Sequence, residues 1–265
     1  MSALLEIEDL RVEFRLDTGT VTAVDGVSLH VGEGETLAVV GESGSGKTAT
    51  ALSVLRLNPE PPCVYAGGRI RLDGRDVLGM SAAQLRRVRG NEVAMVFQDP
   101  MTSLNPLKRV GAQIAEVVRR HQGAGRAQAR EAALAALGEA GIPDPRRRAG
   151  QYPHQLSGGL RQRVMIAMAL VGRPRVLIAD EPTTALDVTV QAQILDLLVD
   201  LQRRHGMAIV LITHDLGVVA EVADRVVVMR HGRIVETGDV LDVFERPGQD
   251  YTRELLRATP RLERA

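Results

Sequence analysis

The feature that most constrains this chain is the run Gly41-Glu42-Ser43-Gly44-Ser45-Gly46-Lys47-Thr48, set between the apolar stretch Thr36–Val40 and the helix-like TATALSVLRL. It fits G-x-x-x-x-G-K-[ST]. Glycine at these positions lets backbone N–H groups wrap a polyphosphate without Cβ clashes, the lysine reaches the outer phosphates, and the threonine hydroxyl binds Mg²⁺. A helix opening at Thr48 and Ala49 adds the partial positive charge of its N-terminus. Such a loop works only where a buried strand opens into a helix, so the chain is expected to build a strand–loop–helix unit at residue 41.

Composition narrows the setting. The 265 residues carry 33 basic and 33 acidic side chains, for a net charge of zero. Nucleic-acid binding through a strong global positive field is therefore disfavoured. All but two of the basic residues are arginine, and one of the two lysines, Lys47, lies in the glycine-rich run; the other is Lys108. Apolar residues make up 45% and charged residues 25%, which suits a globular chain with a sizeable core. Aromatics are only 2%, with no Trp, which argues against a function built on base-stacking platforms or an aromatic cage. The single cysteine, Cys63, excludes an intramolecular disulfide and a multi-cysteine metal site. The longest apolar run, Val164 to Val171, is far shorter than the roughly 20 residues that cross a bilayer. With an acidic N-terminus that lacks a signal-peptide core, the expectation is a soluble cytosolic chain.

The pattern along the chain alternates strand and helix. Residues 4–31 read as strands broken by a turn at Asp17–Thr20; Arg69–Leu72, Glu92–Phe97, Val176–Ala179, Ala208–Thr213 and Arg225–Met229 read as further strands. Helical patterning marks Val110–Arg120, Ala127–Gly138 and Val190–Arg204, the last with Ile194, Leu197, Leu198 and Leu201 on one stripe and Gly206 as its C-terminal cap. The expected fold is α/β with a mainly parallel sheet, an N-terminal antiparallel β part, and an inserted helical part. The expected division is a core of residues 1–98 and 164–240, a helical insertion of 99–163, and a polar tail of 241–265.

Two further motifs carry chemistry. Val176–Glu181 is an apolar strand that delivers Asp180 and Glu181 at its C-terminal end, where open α/β sheets bind ligands. Asp180 can hold a Mg²⁺ shell, and Glu181 can orient or polarise an attacking water. Leu156–Leu160 reads L-S-G-G-L and opens a helix, with Ser157 as N-cap and Gly158 and Gly159 leaving donors open to an anion. The chain thus has two anion-binding helix starts for one phosphate loop. The second would serve a nucleotide held by another subunit.

Taken in order, these motifs resemble the nucleotide-binding subunits of ATP-binding cassette (ABC) transporters: the phosphate loop Gly41–Thr48, Gln98, the signature Leu156–Leu160, Asp180–Glu181, the segment Ala185-Leu186-Asp187, and His214. The resemblance implies ATP and Mg²⁺ as ligands. It implies that Gln98 contacts the metal and the water, that His214 contacts the γ-phosphate, that Asp187 reports across a dimer, and that Phe14 stacks on adenine. A narrower resemblance, to oligopeptide, dipeptide and nickel importer ATPases, rests on Val96–Pro106, on the run from His154 through the signature helix, on the run from Thr183, and on Pro247–Leu256 with Tyr251-Thr252-Arg253. It implies two transmembrane permease subunits, a second ATPase subunit (a heterodimer in preference to a homodimer), an extracytoplasmic solute-binding protein acting indirectly, and a place on the cytoplasmic face of the membrane. Closure around two ATP molecules would drive the permeases, and hydrolysis would reset them.

Two departures stand out. Leu160 ends the signature where the subfamily has Met and the wider family Gln, and the donors of Ser157 and the glycines are expected to preserve its function. Cys63 is the only cysteine, whereas many subfamily members carry a cysteine-rich cluster extension; the chain is a short member or a piece of a longer one. The alternatives are a soluble ABC ATPase of translation or DNA repair, an exporter ATPase, and a nucleotide-binding regulator that does not hydrolyse. One cassette, no zinc module and no coiled coil speak against the soluble ATPases, and Glu181 with His214 against the regulator.

Overall fold

A computed structural model describes residues 3–184 and 186–258. In chain order the elements are β1 (Leu5–Leu16), β2 (Gly19–Val31), β3 (Thr36–Val40), α1 (Lys47–Val54), β4 (Cys63–Leu72), β5 (Arg75–Asp76), α2 (Ala82–Val88) and β6 (Val93–Val96). There follow α3 (Pro100–Ser103), α4 (Val110–Gln122), α5 (Arg126–Glu139), α6 (Pro145–Ala149), α7 (Gly158–Leu170), β7 (Val176–Asp180) and α8 (Val188–His205). The chain ends with β8 (Ala208–Ile212), α9 (Leu216–Val222), β9 (Arg225–Arg230), β10 (Arg233–Asp239), α10 (Val240–Glu245) and α11 (Asp250–Ala258). The chain divides into two compact units, Met1–Leu85 with Ala208–Ala265, and Arg86–Met207.

In the first unit, β1 pairs antiparallel with β2 on one side and β4 on the other. The inward residues of β1 are Leu5, Ile7, Leu10 and Val12, so the two-residue period slips once between Ile7 and Leu10. The slip is a bulge: the pairing register shifts there, and the Asp9 N–H leaves the ladder to donate to Ser28 Oγ at 2.8 Å. Around β3 the pairing is parallel, with β8 on one side and β9 on the other. Every residue of β3 and β8 is buried, as strands covered on both faces require. β9 turns back into β10 through His231 and Gly232, both at positive φ, the backbone that a two-residue hairpin demands.

Where a polar tail is expected from residue 241, the described residues up to 258 form α10 and α11. Val240, Val243 and Tyr251, from α10 and α11, are buried in one apolar cluster with Ala38, Val40, Val226 and Val228. Charged and apolar residues alternate irregularly there; Phe244, Leu255 and Leu256 pack against the same cluster, whereas Leu241 stays exposed. Three other differences are smaller. β4 begins at Cys63 rather than Arg69, α1 ends at Val54 rather than Leu57, and β10, in which no residue is fully buried, has no apolar run to mark it as a strand.

In the second unit β6 and β7 pair in parallel, Val93 opposite Val176 through Val96 opposite Ala179. Helices α4, α5, α7 and α8 bury Ile114, Val118, Ala133, Leu137, Val164 and Ile166, together with the whole Ile194, Leu197, Leu198, Leu201 stripe. Asp187 caps α8 at one end, and Gly206, in the left-handed region, closes it at the other. The division into units falls at Leu85/Arg86 and Met207/Ala208.

Candidate nucleotide site

The phosphate loop leaves the buried end of β3 at Gly41 and closes into α1 at Lys47. Lys47 is only 6% exposed. Its Nζ donates to the Gly41 carbonyl at 2.7 Å, the Glu42 carbonyl at 2.9 Å and Ser45 Oγ at 3.4 Å, so the ammonium draws the loop around itself. Ser45 N–H closes the same turn on the Glu42 carbonyl at 3.1 Å. The loop is also pressed from behind. A Cβ on Gly41 would collide with the Met229 carbonyl, and one on Gly46 with the Ala23 carbonyl. Gly44, at φ +79°, has nothing within 4 Å of a built Cβ, so the face of the loop there is open. Glu42, Ser43, Gly44 and Thr48 are exposed, Gly46 and Ala49 half-buried, and Ser45 buried. A lysine-centred cradle, crowded behind and open in front, fits a polyphosphate. The Glu42 N–H, however, donates to Tyr251 Oη at 3.2 Å.

The parallel register of β6 and β7 explains the acidic site of the second unit. Val96 and Ala179 are paired, and two residues beyond each come Gln98 and Glu181. Gln98 Nε2 donates to Glu181 Oε2 at 2.9 Å. Thr184 Oγ1 donates to the same oxygen at 2.9 Å, and Thr184 N–H to the Glu181 carbonyl at 3.2 Å. Glu181 has φ +47°, a left-handed backbone that costs a non-glycine residue on the order of 1–2 kcal/mol. Such strain is found where a side chain must be aimed. Asp180, just before it, is 4% exposed at the end of β7. Thr184 was not anticipated from the sequence, although a threonine three residues after an acidic turn is a recognisable turn signal.

The signature lies at the start of α7, with Ser157 as N-cap, its hydroxyl accepting from Leu160 N–H at 3.4 Å. Gly158 is exposed. Gly159 packs against α8, where an added Cβ would lie 2.6 Å from Val190 Cγ1. Asp187 Oδ1 accepts from Val190 N–H at 2.9 Å, and the neighbouring Val188 is 82% exposed. Ala185 lies outside the described residues.

In the first unit, exposed His214 follows β8 on a backbone fixed from both sides. Asp215 N–H donates to Thr213 Oγ1 at 3.0 Å, while the Asp215 carboxylate caps α9 through Gly217 N–H at 2.9 Å. Phe14 is half-buried on β1, paired with Val21 on β2 and Cys63 on β4.

Residues 24–184 match the family model described as ABC transporter. The oligopeptide transport ATP-binding protein OppD of Bacillus subtilis (strain 168) is 52% identical over 263 residues, 99% of this chain and 74% of that protein. The dipeptide transport ATP-binding protein DppD of the same organism is 49% identical over 99% of this chain and 78% of its own length. Among solved structures, the ATP-binding cassette MJ0796, a dimer bound to ADP and Pi, matches with a TM-score of 0.79 and 28% identity, covering 89% of this chain and 98% of that one. The cbiO1 protein of Clostridium perfringens, part of the ABC transporter complex cbiONQ, matches at 0.78 with 29% identity, over 93% of this chain and 92% of its own. The family model and the likeness to these relatives over nearly the whole chain make this protein a member of the ABC transporter family.

Proposed function

We propose that this chain is the ATP-hydrolysing subunit of an importer for peptides or a related small solute, nickel included. The observation that carries the hydrolytic reading is the Glu181 carboxylate, held by Gln98 and Thr184 at 2.9 Å each, in a chain that also owns a phosphate loop. Near-full-length likeness to proteins named for oligopeptide and dipeptide transport supports the solute class. No described helix is long and apolar enough to cross a membrane, and in this reading the membrane-spanning parts of the transporter are partner subunits.

The residues divide the work. The N–H groups from Gly44 to Thr48 and the Lys47 ammonium bind the phosphates. Thr48, Gln98 and Asp180 are the residues that would hold Mg²⁺, which when bound would neutralise charge on the outer phosphates. Glu181 polarises the attacking water, with Gln98 and Thr184 fixing its direction. His214 contacts the γ-phosphate, and Phe14 lies against the adenine. Ser157, Gly158 and Gly159 of a second ATPase subunit complete the site at its helix start, and Asp187 reports across that contact. The segment 99–163 acts as a helical insertion ending in the signature.

In this reading two permease subunits bind the pair of ATPase subunits at the cytoplasmic face of the membrane. The second ATPase subunit is a different chain in preference to a copy, and a solute-binding protein outside the membrane selects the cargo. Glu181→Gln keeps the side-chain shape and removes the charge. It should bind ATP and dimerise, with turnover reduced at least about 10²-fold, the lower end of what general-base catalysis contributes. A wild-type rate in that variant would falsify the assignment. Purification from native membranes should recover two multi-span permeases and a solute-binding protein; ribosomes or DNA in their place would support the soluble-ATPase alternative.

A further inference from the structure

The segment Pro247–Leu256 is the one motif that the nucleotide chemistry above leaves unused. Its central residue, Tyr251, is 6% exposed at the start of α11, and its Oη accepts the Glu42 N–H at 3.2 Å, across 209 residues of sequence. Glu42 belongs to the phosphate loop. The peptide joining Gly41 to Glu42 is therefore gripped at both ends: its carbonyl accepts from Lys47 Nζ at 2.7 Å, and its N–H donates to Tyr251. A peptide plane held this way cannot flip without breaking both bonds.

Tyr251 is itself held from several sides. The Arg230 guanidinium, from the end of β9, stands 4.5 Å from its ring centroid. The turn leading into α11 is seated on β10, where the Glu236 carboxylate accepts from Gly248 N–H at 2.6 Å and Gln249 N–H at 3.1 Å. Burial works against the charge of Glu236, but its carboxyl is held below its ordinary range, with these two amides and the Arg253 charge acting in that direction. Arg253 staples the same turn by donating to the Pro247 carbonyl and to Asp250.

We propose that Tyr251 is a positioning residue for the nucleotide: the C-terminal helix reaches back and locks the first peptide of the phosphate loop in its binding shape. Tyr251 touches no reacting atom. Its hydroxyl acts through the Glu42 N–H, which is thereby taken out of the set of phosphate donors. Preorganising a loop raises affinity by removing the ordering that binding would otherwise demand. The effect belongs in the KM for ATP and leaves kcat alone.

The inference rests on the ATP-binding reading above, and the experiment separates the two. ATP affinity, KM and kcat are measured for the wild type and for Tyr251→Phe, which keeps the ring, its burial and its contact with Arg230. Loss of one neutral hydrogen bond should raise Kd and KM by roughly 2- to 10-fold, with kcat within about twofold and the melting temperature without nucleotide little changed. Unchanged KM in the phenylalanine variant, or a lowered melting temperature with unchanged KM, overturns the positioning role while leaving the ATP reading intact. A wild-type protein that binds no ATP overturns both. Should Tyr251→Phe not fold, Glu236→Gln loosens the seat of α11 without touching Tyr251. It should raise KM in the same direction, and no change there has the same overturning force.

Discussion

Lys47 and Lys108 are the two lysines of an arginine-rich chain, and they answer to different physics. The Lys47 ammonium is shared among the Gly41 and Glu42 carbonyls and the Ser45 hydroxyl inside a ring of backbone. Three donors on a compact charge suit that geometry; a planar guanidinium fork does not. Lys47→Arg should therefore weaken ATP binding roughly 10²-fold, since hydrogen bonds to a charged donor contribute about 1.5–3 kcal/mol and at least one is lost. Lys108 instead forms a surface pair with Glu116 at 2.7 Å, both side chains about half exposed. Such pairs are worth about 0–1 kcal/mol, so Lys108→Arg should leave ATP affinity unchanged and move the melting temperature little. Calorimetric titration of both variants with ATP checks the contrast, and equal losses would remove the special status of Lys47. The place of Lys47 in the loop was legible in the sequence because Gly41, Glu42 and Ser45 lie within six residues of it. That of Tyr251 was not, because its partner is 209 positions away and only the folded chain joins them.

At the scale of elements the same distinction holds. The strand ends bearing Gln98 and Glu181 could be read separately from their apolar runs, but their contact depends on the β6–β7 register, which a single sequence does not encode locally. α11 reads as tail in the sequence because its polar residues outnumber the apolar ones that dock it, and the bulge in β1 leaves only a one-residue slip in the alternation as its trace. The junction of α7 and α8 offers a test in which two effects compete. Alanine is about 1 kcal/mol better than glycine inside a helix. At Gly159, though, the new methyl would lie 2.6 Å from Val190 Cγ1, and overpacking of that kind costs about 1–3 kcal/mol. Propensity also counts for little in the first turn of a helix, so the clash wins and Gly159→Ala should destabilise the protein. At Gly138 in α5 the nearest neighbour is Pro145 Cγ at 3.9 Å, an ordinary contact, and Gly138→Ala should be neutral or stabilising. Urea unfolding of the two variants gives the signs directly; a stabilised Gly159→Ala would mean that α7 and α8 separate easily there.

For the whole molecule, the arrangement of exposed groups bears on how many chains make one working site. The signature start offers exposed Ser157 and Gly158, and the neighbouring α8 start offers exposed Asp187 and Val188, the latter an 82% exposed hydrophobic side chain. A helix start that presents N–H groups to solvent has a use for an anion, and the chain's own phosphate loop carries its own helix start. If the nucleotide is completed by a second subunit, binding and turnover separate by location. Ser157→Arg places a long cation on the signature, where it blocks approach of another subunit, and leaves the loop from Gly41 to Thr48 untouched. Binding of ATP by the isolated variant should stay within about twofold of the wild type. Its ATPase rate should fall at least about tenfold, the scale on which one lost charged interaction changes an equilibrium. In size-exclusion chromatography, the dimer that ATP induces in Glu181→Gln should be missing from the double variant Glu181→Gln with Ser157→Arg. A rate for Ser157→Arg equal to wild type, and strictly proportional to protein concentration down to the lowest dilution, would mean that one chain hydrolyses ATP alone.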